Sequence, residues 1–275
     1  MILSKIKKHF FLFLVRLKQK KTIKSLLAQD NNLLNLIVES FLKLKKNNLS
    51  DSEIKIFKSC EYYRTLLLND HRSISFAVFG SNKTMLVKDI CNKAASKPIW
   101  AQFLYLITKN FSNPQFLEIG TNLGVSGTYI LEALKDKKNS KFFTMEGIPQ
   151  LCEIADNQFS RICSNSKYKI YKGLYKNTFS ELIKDNNNFN IIFIDGNHKK
   201  DPTVQYFSEL QNKLSSKAII IFDDINWNSE MQEAWHIVKS YKNVTYSIDM
   251  FKFGLLIVDN TKVSKKSDYY LHLAY

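Results

Sequence analysis

The segment between Gln115 and Leu134 restricts the fold of this chain more than any other part of the sequence. A mostly apolar run leads into a loop that carries Gly120 and Gly124, and an apolar pattern with helical spacing follows. This order predicts a β-strand, a tight turn and the start of a helix, where backbone N–H groups and the helix dipole can face a ligand. Because glycine has no Cβ, the turn can bend sharply and a ligand can lie against its main chain. An ordinary strand-to-helix turn would show the same glycines, so the function depends on the residues that follow.

Strands and helices alternate through the rest of the chain. The predicted strands are 115–119, 141–146, 168–172, 190–195, 217–223, 243–248 and 252–258, and the predicted helices are 125–135, 149–163, 176–185, 202–214 and 229–241. Such alternation is typical of βαβ units and a mostly parallel sheet. Residues 249–251 alone join the last two strands, which forces an antiparallel hairpin because a parallel return needs a much longer crossover. This combination is not the pattern of the nicotinamide dehydrogenases.

The first part of the chain is predicted to be mainly helical. Apolar residues recur with helical spacing at 31–48 and 53–69, and further helices are predicted at 85–97 and 99–111. Residues 75–82 are predicted to form a loop that could close over a site. We therefore divide the chain into a helical N-terminal extension, 1–80, and an α/β domain, 81–275.

The positive charge of the chain is concentrated in its first hundred residues. They carry 19 Lys and Arg against 7 Asp and Glu, whereas residues 101–275 carry 21 against 18. A basic segment suggests an anionic partner, such as a membrane surface, a nucleic acid or an acidic glycan. The alternative is a lysine-rich composition that only solvates helices. Nucleic acid is disfavoured because the excess charge lies away from the ligand edge of the sheet and no RNA-binding motif accompanies it.

Residues 1–27 are basic and contain one short apolar run, 10–15. This run is too short to span a bilayer, and the segment lacks the cleavage site of a secretory signal. We expect a helix that lies on an anionic membrane, or that packs on the domain or on a second copy in a homodimer. The four cysteines form no Cys-x-x-Cys pair, so reduced thiols in a cytoplasmic protein, peripheral at the inner membrane face if it docks there, are expected.

Glu146 stands at the end of the second strand of the α/β domain, 26 residues after Gly120. A carboxylate at this position can accept hydrogen bonds from both hydroxyls of a ribose. The alternative is an ordinary solvated acid at a strand end. The glycine loop favours the ribose-binding interpretation.

Three aspartates follow two neighbouring strands. Asp195 ends the strand at 190–195, and Asp223 and Asp224 end the strand at 217–223. Ligands of open α/β sheets bind at the carboxyl ends of the strands, and three carboxylates there would repel one another unless a cation lies among them. Oxygen ligands suit Mg²⁺ or a similar divalent metal. The alternative is that one aspartate caps a helix and another holds a loop.

His198 lies three residues beyond Asp195 and could reach the same edge of the sheet. An imidazole there could accept a proton from a substrate hydroxyl, because histidine titrates near neutrality. A purely structural histidine is the alternative.

The motif Phe116-Leu117-Glu118-Ile119-Gly120-Thr121-Asn122-Leu123-Gly124-Val125-Ser126 resembles the first motif of class I S-adenosylmethionine-dependent methyltransferases. It is most similar to the catechol O-methyltransferase-like branch. The segments 194–198 and 221–225 resemble the related bacterial O-methyltransferases that act on small molecules and sugars. The resemblance covers roughly residues 81–258 and implies a Rossmann-like, seven-stranded methyltransferase sheet.

The resemblance also implies roles for individual residues. Gly120, Thr121 and Asn122 would face the methionine part of S-adenosylmethionine, Ser126 would hold its carboxylate and Glu146 its ribose. Gly173 and Leu174 would border the adenine, and Glu118, Gly124 and Asp195 complete the expected cofactor-binding set. Asp195, Asp223 and Asp224 match the metal positions of the branch, where the third ligand is usually Asn. His198 falls where the branch carries a lysine base.

These features together predict metal-assisted O-methylation of a hydroxyl on a small molecule, sugar or glycan, with His198 and Asp195 as catalytic residues. Phenols and lipid headgroups stay open as acceptors. The alternative from another class is a non-catalytic methyltransferase-like protein that holds cofactor or glycan at a membrane surface. Nicotinamide chemistry and nucleic-acid methylation are disfavoured by the loop spacing, the terminal hairpin and the position of the basic charge.

Overall fold

The computed structural model describes residues 2–259, 261 and 266–274, with the side chains of residues 2–7 left out. Met1 and the side chains of Lys5 and Lys7, which belong to the predicted basic segment, therefore lie outside the described part. The helices are α1 Ile2–Leu27, α2 Asn32–Lys45, α3 Asp51–Leu68, α4 Val87–Ala94, α5 Pro98–Asn110, α6 Val125–Leu134, α7 Pro149–Ile162, α8 Tyr175–Lys184, α9 Lys200–Glu209 and α10 Ser229–Ser240. The strands are β1 Ser73–Ser75, β2 Thr84–Leu86, β3 Gln115–Ile119, β4 Lys141–Glu146, β5 Tyr168–Lys172, β6 Phe189–Ile194, β7 Leu214–Phe222, β8 Val244–Asp249, β9 Gly254–Asp259 and β10 Ser267–Tyr270.

The main sheet has the strand order β10-β8-β9-β7-β6-β3-β4-β5. Strands β5, β4, β3, β6 and β7 pair in parallel, and β9 is antiparallel to both β7 and β8. The predicted parallel sheet with a terminal antiparallel hairpin is confirmed. Strand order reverses between β3 and β6, the position at which open α/β sheets bind ligands.

Two strand regions of the structure differ from the sequence-based expectation. Strand β10 pairs in parallel with β8 and adds an eighth strand to the expected seven. Its residues, 267–270, alternate between half-buried and exposed positions, as expected at a sheet edge, and do not form a continuous apolar run. Strands β1 and β2 form a separate antiparallel pair that frames residues 76–83, where a plain loop was predicted.

Apolar residues cover both faces of the sheet. One cluster joins Phe116, Ile191 and Ile219 of the sheet to Phe41 of α2 and Trp100 of α5, so the N-terminal helices share the core of the α/β domain. A second cluster covers the other face, with Leu117 and Ile192 packed among residues of α8, α9 and α10. Residues 191–194 of β6 and 218–222 of β7 are buried on both sides of the sheet because these runs are continuously apolar.

Helix α3 is hydrogen-bonded to the glycine loop and to the segment before α5. The Tyr63 hydroxyl donates to the Leu123 carbonyl at 2.6 Å, and the Arg64 guanidinium donates to the Ser96 carbonyl at 2.7 Å. The helix begins at a capping box between Ser50 and Glu53. The N-terminal region thus contacts the segment on which the functional hypothesis rests.

Two further expectations concern membranes and cysteines. None of the helices that the structure describes is long and apolar enough to cross a bilayer. All four cysteines are free thiols, as predicted, and three of them are buried.

Candidate active site

A cavity of about 790 Å³ opens at the carboxyl ends of β3, β4, β6 and β7. Its inner wall includes Gly120, Asn122, Glu146, Leu174 and Asp195. Other lining residues include Phe76, Phe79, Lys93, Lys97, His198, Asp223, Asp224, Trp227 and Lys252. The structure therefore brings most of the predicted site residues together around one space.

Gly120 allows the loops after β3 and β6 to approach each other closely. Its φ is +112°, and a Cβ at this position would lie 2.5 Å from the carbonyl oxygen of Asp195. A side chain at residue 120 would therefore be strained by the backbone conformation and would collide with main-chain atoms that cannot rotate away. This glycine sets the width of the cleft between the two strands.

The loop amides bond inside the protein, contrary to the expectation that they face a ligand. Gly120 and Thr121 donate to the Met145 carbonyl at 3.2 and 3.0 Å, and Gly124 donates to the Thr121 carbonyl at 2.8 Å. The Asn122 amide donates to Glu146 Oε2 at 2.9 Å. These bonds fix the loop against β4, so the loop shapes the cavity more than it supplies N–H donors to it.

Glu146 presents a buried carboxylate to the cavity. Its Oε1 accepts from the Ile148 amide at 2.8 Å while Oε2 accepts from Asn122, so both oxygens are oriented by backbone donors. Burial raises the pKa of Glu146, and the backbone hydrogen bonds oppose that rise. Each oxygen keeps a second lone pair, which suits acceptance of two ribose hydroxyls.

Glu118, expected in the cofactor-binding set, is instead a fully buried structural residue that does not line the cavity. One carboxylate oxygen accepts from the Ser126 hydroxyl and the other from the Thr144 hydroxyl at 2.8 Å. Thr121 pairs with the Thr144 hydroxyl at 2.6 Å and completes a buried polar network. Burial raises the pKa of Glu118 to about 7, while these hydrogen bonds lower it.

Ser126 and Thr121 consequently have little hydrogen-bonding capacity left for a cofactor. The Ser126 hydroxyl gives its only proton to Glu118, so it has none to donate to a ligand carboxylate. Both residues border a small recess beside the main cavity, which also includes Asn122 and Val125 at the start of α6. The first backbone amides of α6, which have no partner inside the helix, can donate to a ligand carboxylate where the Ser126 hydroxyl cannot.

Of the remaining residues predicted to bind the cofactor, one lines the cavity and two support the packing around it. Leu174 lies on the cavity wall. Gly173 lies behind it with φ +139°, and its amide donates to the Glu146 carbonyl at 2.8 Å. Gly124 has φ +74°, and a Cβ there would approach the side chain of Phe159 to 3.0 Å, so this glycine serves the packing of α6 on α7.

In the aspartate cluster, Asp223 and Asp224 contact a lysine that was not among the predicted site residues. Lys252, in the turn between β8 and β9, places Nζ 2.7 Å from Asp223 Oδ1 and 2.8 Å from Asp224 Oδ1. Burial lowers the pKa of Lys252, but the two carboxylates outweigh that effect and raise it overall. Burial raises the pKa of Asp195 well above its usual value, and the neighbouring Asp223 raises it further.

This arrangement does not fit the predicted divalent metal. Within the part of the chain that the structure describes, no group of three His, Cys, Asp or Glu side chains could hold an ion. A bound Mg²⁺ would have to share Asp223 and Asp224 with an ammonium that already contacts both of them. The expectation of a metal is therefore not supported by the geometry, and no chemical step below depends on one.

His198 lies in the cavity beside Asp195, as predicted. Its Nε2 is 3.6 Å from Asp195 Oδ1, and the side chain is about one-third exposed. The preceding residue, Asn197, has φ +56°, which turns the loop after β6 towards the cavity. The position suits proton exchange with a molecule in the outer half of the cavity.

Sequence reasoning missed several lining residues because nothing local marks them. Lys252 lies in a hairpin turn, and Lys93 and Lys97 belong to a helix end and the segment after it. Tyr175, half-buried at the start of α8, also lines the cavity. The segment at 75–82, predicted as a loop that could close over a site, contributes Phe76 and Phe79 to the cavity lining.

Residues 117–225 match a family model described as a methyltransferase domain. Solved structures with a similar fold include an O-methyltransferase from Bacillus cereus in complex with SAH, at a TM-score of 0.52 and 18% identity, covering 61% of this chain and 83% of that one. An SAH-bound methyltransferase from Podospora anserina gives 0.53 and 16%, covering 73% and 95%. The Streptomyces achromogenes O-methyltransferase TomG, in complex with SAM, gives 0.52 and 17%, covering 62% and 82%. No curated protein matches the sequence.

The fold is that of a methyltransferase domain. The family match begins in β3 and ends just after β7, so it spans the glycine loop, Glu146 and all three aspartates. The resemblance to methyltransferases, inferred from the glycine loop, is confirmed as a likeness of fold. Helices α1 to α3 precede the matched part of this methyltransferase fold.

Proposed function

We propose that this chain is an S-adenosylmethionine-dependent O-methyltransferase. The observation that carries the proposal is the Glu146 carboxylate, which is buried, held by two backbone amides and turned into the main cavity. S-adenosylmethionine supplies a methyl group already activated on a sulfonium, so the protein has mainly to bind, align and deprotonate. Glu146 would hold the ribose, and Leu174 would border the adenine.

The loop residues would bind the amino-acid end of the cofactor. The recess at the start of α6 has a volume of only about 10 Å³, so a carboxylate would lie at its opening, where a helix N-terminus attracts anions. Gly120 and Asn122 line the main cavity next to this recess. The fit therefore rests on shape and on one oriented carboxylate.

Proton removal from the acceptor is assigned to His198. Its imidazole lies at the border of the cavity and is positioned by Asp195 at 3.6 Å. Because histidine titrates near neutrality, it can accept the hydroxyl proton as the oxygen forms its bond to the methyl carbon. The proton then leaves to solvent through the exposed edge of the ring.

Calorimetric titration with S-adenosylmethionine tests the cofactor site. We expect saturable binding to the parent and at least about tenfold weaker binding to Glu146→Ala, because hydrogen bonds to a charged group are worth about 1.5–3 kcal/mol each. Glu153→Ala is the matched control, since Glu153 is an exposed residue of α7 outside the cavity. Absence of saturable binding to the parent, or equal binding to Glu146→Ala, would remove the basis for the proposal.

The outer half of the cavity favours a sugar or glycan hydroxyl as the acceptor. Trp227 is 71% exposed at the mouth and offers a flat apolar surface. The same cavity is lined by His198, Asp224 and three lysines, which offer hydrogen-bonding groups suited to several hydroxyls: Lys93, Lys97 and Lys252. Methyl transfer to a panel of monosaccharides, glycans and phenols checks this choice, and a preference for phenols would contradict it. Cofactor binding without transfer to any acceptor would favour the non-catalytic alternative.

A second proposal concerns α1, which we expect to dock on an anionic membrane surface. Phe10, Phe13 and Leu17 are 61%, 54% and 65% exposed, and their spacing places them on one helix face. The exposed residues Lys20, Lys21 and Lys24 extend the same face. Aromatic and basic side chains on one helix face are typical of interfacial helices.

Vesicle flotation of the full chain tests this docking. Truncation would be uninformative, because Leu12, Val15 and Leu26 on the opposite face of α1 are buried in the protein. We expect binding to vesicles rich in phosphatidylserine, and loss of binding in the Phe10→Ser, Phe13→Ser double variant. Tyr62→Ser, at an equally exposed aromatic on α3, is the control. If the double variant dissociates a dimer and leaves flotation unchanged, the helix instead contacts a second copy.

A further inference from the structure

We infer that Lys252 supplies the cation of the aspartate cluster, so that a side chain of this chain takes the place of the divalent metal that the sequence pattern implies. Lys252 is a positioning residue in this arrangement, since it holds Asp223 and Asp224 at the edge of the acceptor space. The inference deepens the proposed function, but its central readout, metal binding, does not depend on methyl transfer.

The contacts of the ammonium are those of a fully engaged cation. Nζ lies 2.7 Å from Asp223 Oδ1, 3.0 Å from Asp223 Oδ2 and 2.8 Å from Asp224 Oδ1. The Lys252 side chain is only 19% exposed. These are short, charge-assisted distances to two carboxylates inside a largely enclosed space.

The backbone fixes where this lysine can reach. The Lys252 carbonyl accepts from the Ile225 amide at 3.1 Å, and the Phe251 carbonyl accepts from the Asn226 side chain at 2.9 Å. The turn between β8 and β9 is thereby attached to the loop that carries the aspartates. Next to it, the buried ring of Phe253 packs on Trp100 at a centroid distance of 4.5 Å.

A divalent ion and this ammonium compete for the same oxygens. An ion at normal distances from the Asp223 and Asp224 oxygens would lie within roughly 5 Å of Nζ. Two cations so close repel each other in a site with little solvent. The branch that the sequence resembles has an amide at its usual third position, whereas this chain has Asp224, and the extra negative charge is matched here by the extra positive charge of Lys252.

The probe for this inference is Mn²⁺, titrated into the full chain and followed by electron paramagnetic resonance of the free ion. We expect no specific binding to the parent in the submillimolar range. Lys252→Met, which keeps the length of the side chain without its charge, should bind one Mn²⁺ at least about tenfold more tightly, because one nearby positive charge has been removed.

Two further variants separate charge from shape. Lys252→Arg keeps a cation in the cluster and should stay without Mn²⁺ binding. Lys217→Met removes the same charge from the ion pair with Asp259, at the far end of β7 from the cluster, and should also behave as the parent. Binding that appears only in Lys252→Met and disappears again in the Lys252→Met, Asp223→Asn double variant supports the inference.

Submillimolar binding of one Mn²⁺ to the parent, lost in Asp223→Asn, would overturn the inference directly and needs no folded Lys252 variant. It would also be overturned if Lys252→Met retains the parent melting temperature and gains no Mn²⁺ binding. Titration of the parent with S-adenosylmethionine is run in parallel. If the parent shows no saturable binding of S-adenosylmethionine, the proposed function is contradicted. The Mn²⁺ titration still decides the role of Lys252 in that case.

Discussion

The buried carboxyl of Glu118 should make the stability of this protein depend on pH in a defined window. Glu118 is fully buried, and its pKa is raised from 4.5 to about 7 by that burial. The folded protein therefore holds this proton more tightly than the unfolded chain does. Its contribution to the free energy of unfolding is complete below about pH 4.5 and is lost as the pH rises through about 7.

The size of this pH effect on the free energy of unfolding follows from the shift in the pKa of Glu118. Each pKa unit corresponds to about 1.4 kcal/mol, so raising the pH across the window should lower the free energy of unfolding by roughly 3 kcal/mol through this group alone. Other carboxyls with raised pKa values, among them Asp195 and Glu146, act in the same direction. Because Glu118 repels the carboxylates of Glu146 and Asp195, the Glu118 variant also removes that repulsion.

Urea denaturation of the parent and of Glu118→Gln between about pH 4.5 and about pH 8 measures this difference. Glutamine cannot ionise, and its amide can still pair with the hydroxyls of Ser126 and Thr144. We expect the stability of the variant relative to the parent to increase by roughly 3 kcal/mol from the low to the high pH. Glu39→Gln, at an exposed position of α2, is the control and should show no such trend. A relative stability that changes by less than about 1 kcal/mol across the window would refute the reasoning.

Three further predictions concern supporting contacts. Gly120→Ala should lower the melting temperature and abolish S-adenosylmethionine binding, since the added Cβ would lie 2.5 Å from a backbone carbonyl; wild-type affinity in calorimetry would contradict this. Tyr63→Phe removes the hydrogen bond to Leu123 and should cost about 1–3 kcal/mol in urea denaturation, because it leaves a buried carbonyl unpaired. Glu53 has its pKa lowered to about 2: burial alone would raise it, but hydrogen bonds from two lysines and from a backbone amide outweigh that effect. Its stabilising contribution is present above about pH 4.5 and is lost as the pH falls towards 2, so Glu53→Gln should flatten acid denaturation followed by circular dichroism.

Much of the fold could be predicted because its signals are local. The apolar runs in β6 and β7 do not alternate as those of a half-buried strand would, and the short link between β8 and β9, residues 250–253, permits only a hairpin. Strand β10 was not predicted because it is held at the sheet edge by pairing with β8, and its sequence has no continuous apolar run. Strands β1 and β2 were not predicted either, because each contains only three residues and so gives no recognisable alternating pattern.

The candidate site was predictable where a residue ends a strand. Glu146, Asp195, Asp223 and His198 all line the cavity, because the carboxyl ends of parallel strands meet at one edge. The direction of a side chain inside the motif was not predictable in this way. Glu118 belongs to the same motif as Gly120, yet it points into the interior and binds Ser126.

By itself, the sequence determined that a glycine turn follows β3, that acids end the neighbouring strands and that the sheet closes with a hairpin, since each depends on residues close together in the chain. Only the tertiary structure decided what neutralises those acids. Lys252 lies 28 residues after Asp224, and its ammonium reaches the cluster because the β8–β9 turn is attached to the loop after β7. Charge balance in a buried cluster depends on distances through space, which spacing along the chain does not encode.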